Sequence, residues 1–176
     1  MRLDASHLER EEILLSNSSL SGKSVVVTRA LHQADEFNAL LRSRGAVPLA
    51  YPCIAIAPPE DSTLLDNALR DAISGAYDWL ILTSSNTALM LKERLQALGL
   101  PRLQGLRVAA VGEATAQSAQ KHLGLHVELI PQNHSADALG EMLASVLSRS
   151  TRALLPQSEI AVSSLRERLA EIGVSI

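Results

Sequence analysis

One pattern recurs four times between Ser24 and Ile176, and it constrains the fold more than any other feature of the chain. SVVVTRALHQADEFNALLRSRGAV reads as an apolar strand, a turn, an amphipathic helix and then Gly45. DWLILTSSNTALMLKERLQALG repeats that order and ends at Gly99. RVAAVGEATAQSAQKHLGLHVELI carries Gly124 in the same role, and RALLPQSEIAVSSLRERLAEIGVSI carries Gly173. The strands are short runs rich in Val, Leu and Ile, as needed where both faces of a parallel sheet are covered. The helices place apolar residues at helical spacing, for example Leu89, Leu91, Leu95 and Leu98. Glycine at a helix end supplies a left-handed cap. Strand alternating with helix predicts an α/β fold with right-handed crossovers. Parallel strands are expected near 79–83, 108–111, 127–130 and 153–155.

Three segments depart from the pattern. VPLAYPCIAIAPPEDS holds Pro48, Pro52, Pro58 and Pro59 around short extended runs. Proline removes a ladder donor, so this stretch reads as a linker strand leaving a sheet. LIPQNHSADALGEMLASVL predicts a loop, then Ser135 as the N-cap of a further helix. Residues 1–21 read as an extension, with a short helix in HLEREEILL and a flexible SNSSLSG linker. The expected division is therefore an extension over 1–21, a first strand–helix unit over 22–50, a crossover linker over 51–60 and a larger lobe over 61–176.

Composition narrows the function classes. Aromatic residues make up only 2% of the 176, so aliphatic side chains must form the core. The same scarcity argues against stacking platforms for single-stranded nucleic acid. A net charge of −3 without a basic run argues against a nucleic-acid partner. Cys53 is the only cysteine, so no intrachain disulfide forms, as suits a reducing compartment. It follows Pro52 in an extended apolar stretch and is expected to be buried rather than reactive. No apolar stretch reaches about 18 residues, so no membrane span is expected. The acidic N-terminus lacks the apolar core of a secretory signal, and a cytoplasmic location is expected.

Ligands of open α/β sheets bind beyond the carboxyl ends of the strands. Four polar turns fall at that edge: Thr28–Arg29, Thr83–Ser84–Ser85–Asn86, Gly112–Glu113–Ala114–Thr115 and Pro156–Gln157–Ser158. Two lead directly into helices, whose first N–H groups and dipole attract carboxylates or phosphates. Each element has a plainer reading as well. Ser or Asn before a helix caps it, Gly112 relieves crowding, and Arg29 is solvated or ion-paired. Convergence on one edge is what makes Arg29, Thr83, Ser84, Ser85, Asn86, Gly112, Glu113, Ala114 and Thr115 candidates for binding an anionic ligand.

Other chemistry finds little support. Gly22-Lys23-Ser24 lacks the earlier glycine of a phosphate loop, having Asn17 there, and it precedes a strand rather than following one. His122 and His126 are separated by the helix-ending Gly124, and His7, His32 and His134 show no ligand spacing, so no metal is expected. Neither GxSxG nor GxGxxG occurs.

The ordered combination is more specific than any single motif. LSGKSVVVTRALHQADEFNALLRSRGAVPLAYPCIAIAPPED resembles the opening of the uroporphyrinogen-III synthase family. The resemblance continues through DWLILTSSNTALML, LRVAAVGEATAQSAQKHLGLHVELIP, SADALGEML and ALLPQSEIAVSSLRERLAEIGV, covering about residues 20–176 in unbroken order. It implies a parallel-sheet, Rossmann- or flavodoxin-like lobe, with the first strand–helix unit of a second lobe that is incomplete in this chain. It implies cyclisation of the linear tetrapyrrole hydroxymethylbilane to uroporphyrinogen III, with inversion of ring D, loss of water and no cofactor, in tetrapyrrole biosynthesis. The substrate carries eight carboxylates, which Thr83, Ser84, Asn86 and Thr115 would help to hold. Folding a flexible chain so that its ends meet makes positioning a large part of the catalysis.

The implied partner is thus a small molecule, with neither nucleic acid nor membrane involved. Complete family members are monomeric, whereas this chain is expected to self-associate or loosen at its uncovered first unit. Two departures accompany the resemblance. Family members continue past the position of Ile176 and carry, after the return crossing, a tyrosine that is a candidate for assisting hydroxyl loss. They also often have Arg where this chain has Val162. No catalytic residue is assigned within the 176, and the alternative is a non-catalytic anion- or tetrapyrrole-binding module derived from the family.

Overall fold

The computed structural model describes residues 20–55, 57, 59–158 and 164–176. Most of the expected N-terminal extension, and Val162, lie outside the described residues. The chain forms two compact units, Met1–Ala57 and Pro58–Ile176.

The first unit pairs β1 (Ser24–Val27) in parallel with β2 (Val47–Ala50), connected through α1 (Asp35–Ser43). A 310 turn at Leu31–Gln33 leads into α1. Gly45 has φ 79°, the left-handed turn that lets the chain leave α1 for β2. Pro48 sits inside β2 without breaking it. Val47 N–H donates to Lys23 O and Tyr51 N–H to Val27 O, so odd-numbered residues turn their donors toward β1. Pro48 falls on the other parity, where no ladder donor is needed. Val27, Ala34, Leu41 and Ala46 form a small core, with Val25 and Phe37 against it. The opposite face is open: Val26 is 57%, Val47 53% and Leu49 47% exposed.

Cys53 corrects an expectation, because it is exposed rather than buried. Its N–H donates to Thr28 O, so residue 53 runs just past the end of β1. Tyr51, Pro52, Cys53, Ile54 and Ala55 are all exposed, with no helix over them among the described residues.

The second unit comprises α2 (Thr63–Ile73), β3 (Trp79–Leu82), α3 (Ser85–Ala97), β4 (Arg107–Ala110), α4 (Glu113–Leu123), α5 (Ala136–Val146), β5 (Ala153–Leu154) and α6 (Ser164–Glu171). The three strands are parallel in the order β4-β3-β5, with Trp79 opposite both Arg107 and Ala153. The expected strand at 127–130 is reduced to a single parallel bridge between Ala109 and Leu129. Glu128 N–H reaches Val108 O and Ala110 N–H reaches Leu129 O, but pairing stops where Pro131 and the following turn redirect the chain toward α5. A second bridge joins Arg152 to Ser175 beyond β5.

Central β3 is WLIL with every side chain buried, which is what a strand covered on both faces requires. Leu80 and Leu82 face a core built with Leu69 and Ala72 of α2, Ala88, Leu91 and Leu95 of α3, and Ala119 and Leu123 of α4. Trp79 and Ile81 face the other layer, with Leu139 and Leu143 of α5 and Leu165 and Leu169 of α6. Each fully buried Leu or Ile among them contributes about 1.5–3 kcal/mol. Helix α5 approaches α6 closely at Gly140, where a Cβ would lie 3.0 Å from Arg168 Cδ and 3.2 Å from Leu165 Cδ1.

Helix α2 stands outside the repeated strand–helix pattern because no strand of its own unit precedes it among the described residues. Its signals are local: Asp61 accepts from Thr63 N–H at 2.8 Å, and Leu65, Leu69 and Ala72 fall on one face. Asp66 then ties α2 to α3, accepting from Arg94 Nε at 2.5 Å and from its second guanidinium nitrogen at 2.6 Å.

Candidate functional site

The winding of the second unit reverses beside β3. From β3 the chain steps to β4 and on to Leu129, then returns to the other side of β3 as β5 and steps outward to Ser175. The layer of α2, α3 and α4 lies on one face, and α5 and α6 lie on the other. In such a sheet the crevice opens at the carboxyl ends of the two strands where the winding reverses, here β3 and β5. Thr83–Asn86 follows β3 directly, and Leu155–Ser158 follows β5. The run of small polar residues therefore stands at the switch point.

The residues of that run have separate tasks. Ser84 is extended and caps α3, its Oγ accepting from Asn86 N–H at 3.2 Å. Its carbonyl accepts from Thr87 N–H at 3.2 Å. The cap is real, yet it uses only an acceptor position and leaves the hydroxyl proton available to a carboxylate. Ser85 contributes the first helical N–H, which has no acceptor within the helix. All four residues from Thr83 to Asn86 are half-buried, within reach of solvent or ligand. The first turn of α3 carries no acidic side chain, unlike α4 with Glu113 and α5 with Asp137, so nothing in that turn offsets the positive end of its dipole.

Beside it, β4 leads through Val111 into Gly112 and α4. Thr115 and Ala116 N–H both donate to Gly112 O. Gly112 is buried and Thr115 is only 4% exposed, whereas Glu113 and Ala114 are open. The two turns are held together, because Ser118 Oγ of α4 donates to Ser85 O at 2.7 Å. Thr83, Ser84, Ser85, Asn86, Glu113 and Ala114 thus lie along one accessible edge, with Gly112 and Thr115 beneath it. Arg29 belongs to the first unit, exposed past the end of β1, with its guanidinium 5.2 Å from the Phe37 ring centre.

One residue at this edge is missed by sequence reasoning. Gly112 has φ −174° and ψ 172°, extended backbone open to any residue. Its requirement is space: a Cβ there would lie 3.0 Å from His134 Cγ and 3.2 Å from His134 Cβ and Nδ1. The ring of His134 therefore packs onto the turn that starts α4. Spacing alone weighs His134 only as a metal ligand. The signal that points to it is its place directly before Ser135, which caps α5 by accepting from Ala138 N–H at 3.2 Å.

The remaining histidine pair is not assembled. Gly124 has φ 71° and ends α4 between His122 and His126. Burial, helped by Lys121 and Lys92, holds the His122 imidazole below its usual value. Among the described residues no group of three or more His, Cys, Asp or Glu is placed to hold a metal ion. No helix among them is long and apolar enough to cross a membrane.

Comparison with known proteins decides the ancestry. The family model for uroporphyrinogen-III synthase HemD matches residues 35–176. This chain belongs to the uroporphyrinogen-III synthase family. It is 32% identical over 150 residues to the uroporphyrinogen-III synthase of Synechococcus elongatus, covering 82% of this chain and 54% of that one. It is 29% identical over 154 residues to the enzyme of Chlorobaculum parvum, covering 86% and 59%. The chain thus spans a little over half the length of these two relatives. The uroporphyrinogen III synthase structure of Thermus thermophilus superposes with a TM-score of 0.51 at 22% identity, over 87% of this chain and 58% of that one. At that identity the likeness speaks to the fold: mixed α/β with parallel sheets, as the repeated strand–helix pattern implies.

Proposed function

We propose that this chain supplies the switch-point half of a uroporphyrinogen-III synthase active site. In this reading it takes part in closing hydroxymethylbilane to uroporphyrinogen III, with ring inversion and loss of water. Family membership over residues 35–176 is the observation that carries this reading. The geometry fits the substrate's chemistry. A linear tetrapyrrole with eight carboxylates needs donors more than it needs a nucleophile. The edge formed by Thr83, Ser84, Ser85, Asn86, Glu113 and Ala114, with Gly112 as its floor, offers hydroxyls and backbone N–H groups.

The contribution to rate is positioning. Holding the two ends of a flexible chain together turns an improbable encounter into a local one. Backbone donors at the start of α3 and hydroxyls of Thr83 and Ser84 hold acetate and propionate groups while the terminal rings approach. Thr115 supports the α4 turn from beneath. The two units correspond to a larger lobe and the first strand–helix portion of a second.

The test is product analysis. Hydroxymethylbilane incubated with the protein, then oxidised and separated by chromatography, is expected to yield the ring-inverted isomer above the level formed in buffer. Formation of only the uninverted macrocycle, at the buffer rate, contradicts the reading.

A further inference from the structure

We propose that His134 is a substrate-contacting residue of this edge, its imidazole held over Gly112 to donate to a carboxylate of the bound tetrapyrrole. The inference rests on the reading that the edge binds a polycarboxylated ligand, and it adds a residue which that reading does not include.

Three observations place it. The ring lies close to the start of α4, its Cγ and Nδ1 being 3.0 and 3.2 Å from where a Gly112 Cβ would stand. Gly112 has ordinary extended backbone, so what a side chain there would meet is the His134 ring rather than backbone strain. His134 is nonetheless exposed, and neither ring nitrogen has a hydrogen-bond partner among the described residues. A ring packed on one side and unpaired at both nitrogens is oriented without being used by the fold. A neutral or charged imidazole always has at least one N–H to donate. It stands over the turn into α4, a helix whose second turn is tied to the first residue of α3 by the Ser118–Ser85 bond.

Uroporphyrin III, the stable oxidised octacarboxylate, is the probe, titrated against the full chain by fluorescence. His134→Leu keeps bulk over Gly112 but removes the donor, and it is expected to weaken binding about tenfold with an unchanged melting temperature. His134→Arg restores a donor and is expected to recover most of that loss. Gly112→Ala displaces the ring, so adding His134→Leu to it is expected to cause no further loss. Equal affinity of the parent and His134→Leu overturns this inference and leaves the reading of the edge intact. A parent chain that does not bind the probe at all overturns both.

Discussion

The Ser118 hydroxyl donates to the Ser85 carbonyl oxygen across 2.7 Å, joining the second turn of α4 to the first residue of α3. Ser85 O would otherwise be an ordinary helical acceptor. Taking a bond from the neighbouring helix fixes how far the start of α3 stands from the start of α4. That spacing sets the separation of the two turns proposed to hold carboxylates. Ser118→Ala is expected to destabilise the chain by about 1 kcal/mol in urea unfolding, with an unchanged m-value. A change in m-value would instead indicate altered compactness.

Ser84 can be separated into cap and ligand donor. Ser84→Ala removes both and is expected to cost about 1 kcal/mol of stability, while Ser84→Gly costs only a few tenths. Both lack the hydroxyl. If Ser84 donates to a carboxylate, both variants lose about tenfold in affinity for uroporphyrin III despite their different stabilities. Affinity equal to the parent in both would leave Ser84 a cap alone.

The repeated strand–helix–glycine unit made most of the second unit legible. β3, β4 and β5 are parallel within a residue or so of their expected places, and Gly45, Gly99, Gly124 and Gly173 all take positive φ. Apolar runs and helix-ending glycines are local signals. What escaped depended on tertiary neighbours. Leu129 forms one bridge rather than a strand, because the loop to α5 begins almost at once. Cys53 lies in an apolar stretch yet is exposed, since the burial of a linker depends on what packs over it rather than on its own composition. His134 and Gly112 meet across a long separation in sequence, and no periodicity links them.

Gly173 illustrates how strict such a turn becomes. Its φ is 83°, and a Cβ there would lie 2.9 Å from Arg149 Cγ. Gly173→Ala is expected to cost about 1–2 kcal/mol from the left-handed backbone alone, read as a lowered midpoint in urea. Adding Arg149→Ala should recover only the part due to the side-chain contact.

The open face of the first unit predicts a contrast between neighbours. Val27 is 3% exposed and Val26 57%. Val27→Thr buries a hydroxyl and is expected to cost about 1–3 kcal/mol. Val26→Thr should stay within about 0.5 kcal/mol of the parent. Thermal unfolding of the two variants side by side checks the assignment of faces.

Acid should act through Asp66. Its hydrogen bonds to Arg94 hold the carboxyl below its usual value of 3.8, against the opposing effect of burial. The unfolded chain therefore binds the proton more readily. The stabilisation is fully present above the unfolded value and is lost as pH falls through the lower folded one. Asp66→Asn should flatten the acid limb of a plot of melting temperature against pH. An acid limb identical to the parent's would remove the Asp66–Arg94 pair from the account.

The most direct test of the central claim is an amide nitrogen–proton NMR titration of the chain with uroporphyrin III. The largest shifts are predicted at Ser85, Asn86, Glu113 and Ala114, at the carboxyl edge where the winding reverses. Shifts clustered instead around Asp78 and Arg107, at the amino ends of β3 and β4, or no shifts at all, would contradict the claim.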